Sequence, residues 1–113
     1  MPLDEETRKI IDKVLTDNRV VLFMKGTPAQ PQCGFSATTV STLNMLLPDY
    51  MTVNVLDYPE IREGIKEYAN WPTIPQLYVD GELVGGCDIV VEMYHSGELQ
   101  KMLGEADASN DES

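Results

Sequence analysis

An α/β domain with a four-stranded mixed sheet flanked by helices is the fold class that the sequence predicts. Three observations predict it: short β-rich runs alternate with helical periods, a hairpin signal falls late in the chain, and the length suits one domain. At 113 residues, the chain can bury about two-thirds of the surface that its unfolded form exposes. It therefore needs neither disulfides nor a metal to fold.

The first half of the chain predicts a helix, a strand and a second helix. Apolar residues recur at helical spacing between Asp4 and Asp17, with Asp4 placed as the N-cap. The apolar run from Val20 to Met24 is too short for a helix and rich in β-branched residues, which favours a strand covered on both faces. After a Gly/Pro loop over residues 26–32, a helical period runs to Pro48, so Cys33 falls at a helix N-terminus.

The second half predicts the rest of the sheet. Residues 51–56 form a second β-rich run, and Pro59 can open a third helix. A strand, helix, strand order implies that the first two strands are parallel. Asp80-Gly81, inside the β-rich stretch 76–84, is a strong hairpin signal. The last two strands should therefore be antiparallel and the sheet mixed.

The C-terminal part predicts a further helix and then a tail. Asp88 is placed as an N-cap, Gly97 can end that helix, and a last turn or two follows. The final ten residues carry four acidic and no basic side chains. We therefore expect one domain over residues 1–103 and an acidic, disordered tail over residues 104–113.

Charge and cysteine content exclude several classes of function. A net charge of −11 repels nucleic-acid phosphates and anionic membranes, which disfavours both as partners. Two cysteines in an otherwise ordinary composition suit a reducing compartment. No targeting pattern is visible at the N-terminus and no apolar run is long enough to span a membrane. The cytoplasm is the expected location.

The cysteine at position 33 is the strongest candidate for chemistry. A helix N-terminus offers free N–H groups and a positive dipole end, and Lys25 at the preceding strand end adds a cation. Both favour the thiolate, which is the nucleophile and the metal ligand. Ser36 stands where a second thiol would make a dithiol redox motif, so this segment cannot form an internal disulfide. Cys87, in a glycine-flanked loop, is either a packing residue or a second reactive thiol.

Four sequence blocks carry a specific resemblance. The element order, with a lone cysteine at the first strand-to-helix turn, is typical of the thioredoxin fold, and the chain resembles the single-domain monothiol glutaredoxins. The resemblance covers nearly everything outside the acidic tail. The four blocks are Lys25-Gly26-Thr27-Pro28, Cys33-Gly34-Phe35-Ser36, Trp71-Pro72-Thr73-Ile74-Pro75-Gln76-Leu77 and Gly85-Gly86-Cys87-Asp88.

The resemblance implies that the chain binds glutathione, which brings two carboxylates, one ammonium, a thiol and an extended backbone. In the family, residues matching Lys25 and Arg62 face the glycyl carboxylate, while those matching Cys87 and Asp88 hold the γ-glutamyl end. Phe35 belongs to the predicted binding residues by the same resemblance. The residues alone leave an alternative open for Arg62, as one charge on a solvated helix face.

Thr73-Ile74-Pro75 resembles the segment that carries a cis-proline in this fold. There the main-chain groups of the residue before proline pair with the cysteinyl part of glutathione, so Thr73 and Ile74 join the predicted site. The cis state is implied by the resemblance alone, because only about 5–6% of X–Pro bonds in folded proteins are cis. Trp71 is either a flank of this site or a core anchor, and His95 is expected on the surface near a helix end.

The resemblance also implies a function, the carriage of an iron–sulfur cluster. A [2Fe–2S] cluster needs four ligands, commonly thiolates, and one chain offers Cys33 in the right place. Two chains and two glutathiones complete the set, which is the homodimeric assembly that the monothiol family is known for. Such a cluster should be transferable to acceptor proteins. A BolA-type protein is an expected partner by the same resemblance.

The alternative function is a glutathione-dependent thiol oxidoreductase, in which Cys33 removes glutathione from protein thiols. This reaction needs one cysteine, but members of the resembling family are typically poor at it. At most a weak enzymatic activity is therefore expected. A dithiol variant that pairs Cys33 with Cys87 requires their Cα atoms within about 7 Å, which the sequence leaves open.

Overall fold

The sheet and its helices follow the predicted order. The computed structural model describes the backbone of residues 3–111 and the side chains of residues 3–104. The helices are α1 (Glu5–Asp17), α2 (Gly34–Asn44), α3 (Pro59–Ala69), α4 (Cys87–Ser96) and α5 (Glu98–Asp111). The strands are β1 (Val20–Met24), β2 (Met51–Asn54), β3 (Gln76–Val79) and β4 (Glu82–Gly85), and a short 3₁₀ turn covers Val55–Asp57.

The four strands form one mixed sheet in the order β2-β1-β3-β4. β1 and β2 are parallel, with Val21 opposite Met51. β3 is antiparallel to both β1 and β4, and the β3–β4 hairpin turns at Asp80 and Gly81, which both have positive φ. This is the thioredoxin-like arrangement that the sequence predicts, so the predicted fold class is confirmed.

Helices cover both faces of the sheet, because β1 sends apolar side chains to each. Val21 and Phe23 face α1 and α3, where they pack in a cluster that includes Ile11, Leu15, Val53, Ile61, Ile65 and Tyr78. Leu22 and Met24 face α2, α4 and α5, in a second cluster with Val40, Leu43, Leu77, Val90, Leu99 and Leu103. The central strand is therefore buried on both sides, as its unbroken apolar run predicts.

Asp4 caps α1 as predicted, since its carboxylate accepts a hydrogen bond from the Thr7 N–H at 2.8 Å. The prediction of Asp88 as the N-cap is wrong, because Gly86, two residues earlier, is the N-cap and α4 begins at Cys87. Asp88 therefore lies in the first helical turn. Gly97 ends α4 in the left-handed conformation, as predicted.

Two further boundaries are shorter than predicted. α2 stops at Asn44 instead of running to Pro48, because the Met45 N–H donates to the Thr42 carbonyl three residues back, in the manner of a 3₁₀ turn. β2 stops at Asn54, whose side chain accepts the Leu56 N–H and so starts the 3₁₀ turn.

α5 continues to Asp111, beyond Leu103, which is the last buried side chain among those that the structure describes. Its backbone therefore enters the segment expected to be a disordered tail, whose side chains from residue 105 onward lie outside those described. The domain boundary at residue 103 stays a prediction. Within the described part of the chain, no helix combines the length and the hydrophobicity needed to cross a bilayer.

Candidate functional site

A groove of about 420 Å³ opens where the end of β1, the start of α2, α3, the loop over residues 71–75 and the start of α4 meet. Seven of the eight predicted site residues line it, namely Lys25, Phe35, Arg62, Thr73, Ile74, Cys87 and Asp88. The lining also contains Lys66, Trp71, Pro72, Pro75, Gly86 and Ile89. Residues distant in sequence thus form one concave surface.

Cys33, the eighth predicted residue, is not among the lining residues but caps α2 two residues before Phe35. Its half-buried sulfur accepts the Ser36 N–H at 3.3 Å and lies 3.5 Å from the Ser36 hydroxyl. That hydroxyl in turn accepts the main-chain N–H of Lys25 at 3.1 Å. A chain of hydrogen bonds therefore joins the end of β1 to the sulfur.

These contacts govern the ionisation of the thiol. Burial opposes ionisation of Cys33, but hydrogen bonds from Ser36 and Phe35 and the charge of Lys25 outweigh it. The pKa of the Cys33 thiol therefore lies below its ordinary value. A larger thiolate fraction at neutral pH suits both nucleophilic attack and metal ligation.

The loop over residues 26–32 holds Cys33 in place. Gly26 has φ +93°, and a Cβ there would lie 2.5 Å from the Gln30 oxygen and 2.6 Å from the Gln32 nitrogen. The Gln32 N–H bonds to the Lys25 carbonyl, and the Gly26 N–H bonds to the Asn54 side chain at 2.9 Å. The turn therefore requires glycine, and it is tied to the end of β2.

The loop over residues 71–75 packs against the start of α4. The Ile74–Pro75 peptide bond is cis, as the resemblance implies. A Cβ on Gly86 would lie 3.2 Å from the Pro75 oxygen and 3.5 Å from Trp71 Nε1, so glycine permits this close approach. Trp71 lines the groove, and its buried Nε1 lacks a hydrogen-bond partner among the described residues.

Three cations lie in the groove, Lys25, Arg62 and Lys66, while Asp88 is the one carboxylate among the lining residues. Lys66 was missed by the sequence analysis, although it stands one helical turn after Arg62 on α3. Its Nζ lies 3.5 Å from Glu63. The groove is thus locally cationic in a chain of net charge −11.

The start of α4 offers a second polar feature. No side chain caps the free N–H groups of its first turn, and such groups favour an anionic ligand. Asp88 in that turn can accept hydrogen bonds from an ammonium group. His95 lies at the other end of α4, exposed and against the ring of Tyr94, so it stands on the surface as predicted.

Comparison with known proteins agrees with this geometry. A family model described as glutaredoxin matches residues 20–84, which is more than half of the chain. A Synechocystis protein named an uncharacterized monothiol glutaredoxin, ycf64-like, is 57% identical over 95% of this chain and 100% of its own length. The chain belongs to the monothiol glutaredoxin family.

Other relatives and solved structures support this assignment. The mitochondrial monothiol glutaredoxin-5 of Lachancea kluyveri is 53% identical over 94% of this glutaredoxin and 76% of its own length. The solution structure of reduced apo GrxS14 from poplar is 55% identical, with a TM-score of 0.77 over 88% of this chain and 91% of that one. A buckwheat glutaredoxin–glutathione complex is 26% identical, with a TM-score of 0.75 over 91% and 96%.

Proposed function

We propose that this glutaredoxin binds glutathione in the groove and, as a homodimer, carries a [2Fe–2S] cluster that it delivers to acceptor proteins. The observation that carries the proposal is a single thiol with a lowered pKa, placed beside a groove whose charges match glutathione. The cluster is cargo in this proposal, and iron–sulfur protein assembly is the process that it serves.

The charges of the groove support glutathione as the ligand. Lys25, Arg62 and Lys66 can neutralise the glycyl carboxylate of a bound tripeptide. The free N–H groups at the start of α4 suit the γ-glutamyl carboxylate, and Asp88 suits the ammonium group beside it. A related protein, the buckwheat glutaredoxin, is solved in complex with glutathione.

The ligand count supports a shared cluster. Four thiolates are the common ligand set of a [2Fe–2S] cluster. Among the described residues, no group of three or more His, Cys, Asp or Glu side chains could hold a metal ion. One chain offers the half-buried Cys33 at the start of α2, beside Phe35, which is 64% exposed. Two Cys33 thiolates and two glutathione thiolates would complete the set.

The partners and location follow from the same proposal. Apo iron–sulfur proteins would accept the cluster, and a BolA-type protein would share it in a mixed dimer. Cys33 and Cys87 are both free thiols, which suits a reducing compartment, and the cytoplasm is the proposed location. Because glutathione is a detachable ligand, few protein bonds must break during transfer.

Anaerobic reconstitution with iron, sulfide and glutathione tests the proposal. The wild-type protein should gain sulfur-to-iron absorption and elute as a dimer, and omission of glutathione should prevent both. Cys33→Ser should remain a colourless monomer. Thr39→Val is the matched control, since this buried hydroxyl on α2 donates to the Phe35 carbonyl and does not contact the sulfur. A colourless wild-type monomer would contradict the proposal.

A second function is favoured by the same lowered pKa. The Cys33 thiolate attacks the disulfide of a glutathionylated protein, forms its own disulfide with glutathione and releases the protein thiolate. A second glutathione thiolate then attacks that disulfide, which restores Cys33 and releases oxidised glutathione. Turnover at about 10 per second, a rate typical of enzymes, together with failed reconstitution, would favour this function over cluster carriage.

A further inference from the structure

Gln76, the first residue of β3, carries a buried amide that bonds to the loop over residues 71–75. Its side chain is fully buried, and Nε2 donates to the Trp71 carbonyl at 3.1 Å and to the Thr73 carbonyl at 3.2 Å. Oε1 accepts the Tyr78 hydroxyl at 3.0 Å. Two carbonyl acceptors require the NH₂ end of the amide, so the chemistry of the partners fixes its orientation.

The loop over residues 71–75 needs donors from outside itself. Pro72 and Pro75 lack N–H groups, so two of the five residues cannot donate a main-chain hydrogen bond. Gln76 supplies two hydrogen bonds to main-chain carbonyls of the loop from one side chain. Its neighbours on β3, Leu77 and Val79, are apolar and buried. An apolar residue of the same size could fill the space at position 76, but it could not hold the loop.

We propose that Gln76 is a positioning residue for the ligand groove: by holding the carbonyls of Trp71 and Thr73, it fixes the loop that presents Thr73 and Ile74 to the ligand. Gln76 is not one of the lining residues, so it acts through the loop. The inference rests on the proposed binding of glutathione in this groove, and it adds a residue that shapes the site from behind.

Tyr78 provides a matched control on the same strand. Its ring is 2% exposed and packs edge-on against Phe23, and its hydroxyl donates to the amide without touching the loop. Tyr78→Phe therefore removes one buried hydrogen bond while keeping both donors to the loop. Gln76→Met removes both donors and keeps a side chain of similar length.

The experiment measures the affinity of each folded variant for glutathione, at a temperature well below the melting temperature of that variant. Trp71, the single tryptophan of the chain, lines the groove, so its fluorescence can report binding, with calorimetry as a second readout. Gln76→Met should bind glutathione about tenfold more weakly than the wild type, because it loses two hydrogen bonds to the loop. Tyr78→Phe should stay within twofold of the wild type, although both variants melt at lower temperature.

Alkylation of Cys33 at fixed pH provides a readout for the thiol beside the groove. Gln76→Met should react at the wild-type rate, because the sulfur is held by Ser36 and α2. A purely structural role for Gln76 would lower the melting temperature and leave the glutathione affinity of the folded variant unchanged. Unchanged affinity in Gln76→Met, or an equal loss in Tyr78→Phe, would overturn the inference.

Two further measurements keep the test decisive. If Gln76→Met does not fold, the double variant Gln76→Met/Tyr78→Phe is measured in its place, because it also removes the Tyr78 hydroxyl that the first change leaves without an acceptor. In the wild type, the Gln76 side-chain amide resonances should shift when glutathione is added, and unchanged resonances would overturn the inference. Absence of any glutathione binding by the wild type would instead overturn the proposed function, and the positioning role with it.

Discussion

Replacing Ser36 with alanine should slow the reaction of Cys33 with iodoacetamide at neutral pH by about fivefold. The change removes the hydroxyl that lies 3.5 Å from the sulfur and leaves the Ser36 N–H in place. It also leaves the Lys25 N–H without its partner inside the protein. The thiol pKa should move toward its ordinary value, so a smaller fraction of thiolate is present to react.

The size of the effect follows from the geometry. A hydrogen bond to a charged group contributes about 1.5–3 kcal/mol, but this contact is long and the sulfur is half-buried, so about 1 kcal/mol is appropriate. That free energy corresponds to about a fivefold change in an equilibrium. Ser36 is fully buried, so the orphaned Lys25 N–H should cost about a further 1–3 kcal/mol of stability.

The pH dependence has a definite sign. The hydrogen bonds favour the thiolate, so their contribution to stability is present above the unfolded thiol pKa of about 8.5. It is lost as the pH falls through the lower folded pKa. The difference in stability between the wild type and Ser36→Ala should therefore widen as the pH rises from the folded pKa of the thiol toward about 8.5. Alkylation rates and urea unfolding, measured across pH, report the two quantities separately.

Thr39→Val supplies the control, because it removes a buried hydroxyl from α2 that does not contact the sulfur. Its alkylation profile should superimpose on that of the wild type. An alkylation midpoint in Ser36→Ala identical to the wild type would refute the reasoning, and a shift of equal size in Thr39→Val would show that α2 packing is responsible.

Three other perturbations test separate parts of the structure. Gly26→Ala should destabilise the protein by about 2 kcal/mol or more in urea unfolding, since the turn has positive φ and no space for Cβ. Gly104→Ala should not destabilise the protein, since a Cβ at that position meets open space. Lys66→Gln should weaken glutathione binding about threefold at low salt and less at high salt, whereas the exposed Lys101→Gln should leave it unchanged. Tyr68 has a pKa raised to about 12 by burial, a hydrogen bond from its hydroxyl to Asp12, and the Asp12 charge. Its contribution to stability is therefore present below pH 10 and lost as pH rises through 12. Asp12→Asn should lower the absorbance titration midpoint of this tyrosine, and an unchanged midpoint would contradict the assignment.

Residues whose role depends on local chain geometry were predictable from the sequence. A lone cysteine after a Gly/Pro loop predicts a thiol at a helix start, and Asp80-Gly81 predicts the hairpin. The start of α4 was predicted two residues late, because Asp88 is a good N-cap type and the extended conformation of Gly86 has no sequence signal that outweighs it. Local pattern thus placed the elements but not every boundary.

Residues whose role depends on tertiary contacts were not predictable. Lys66 has the sequence pattern of a solvated helix face, and only the packing of α3 beside the loop over residues 71–75 brings it into the groove. Gln76 has the pattern of a polar strand end, yet the structure buries it completely. Ser36 signalled the absence of a second thiol, whereas the structure shows a hydroxyl that connects β1 to the sulfur.

The central position of β1 has a consequence for the motions of the site. β1 pairs on both edges and is buried on both faces, so its amides should exchange with deuterium mainly through global unfolding. The Lys25 amide directly after it is held by the Ser36 hydroxyl and should share that protection. We therefore expect the end of β1, beside the sulfur, to open rarely. Ligand entry and release should depend on local opening of the opposite wall, where the loop over residues 71–75 meets α4.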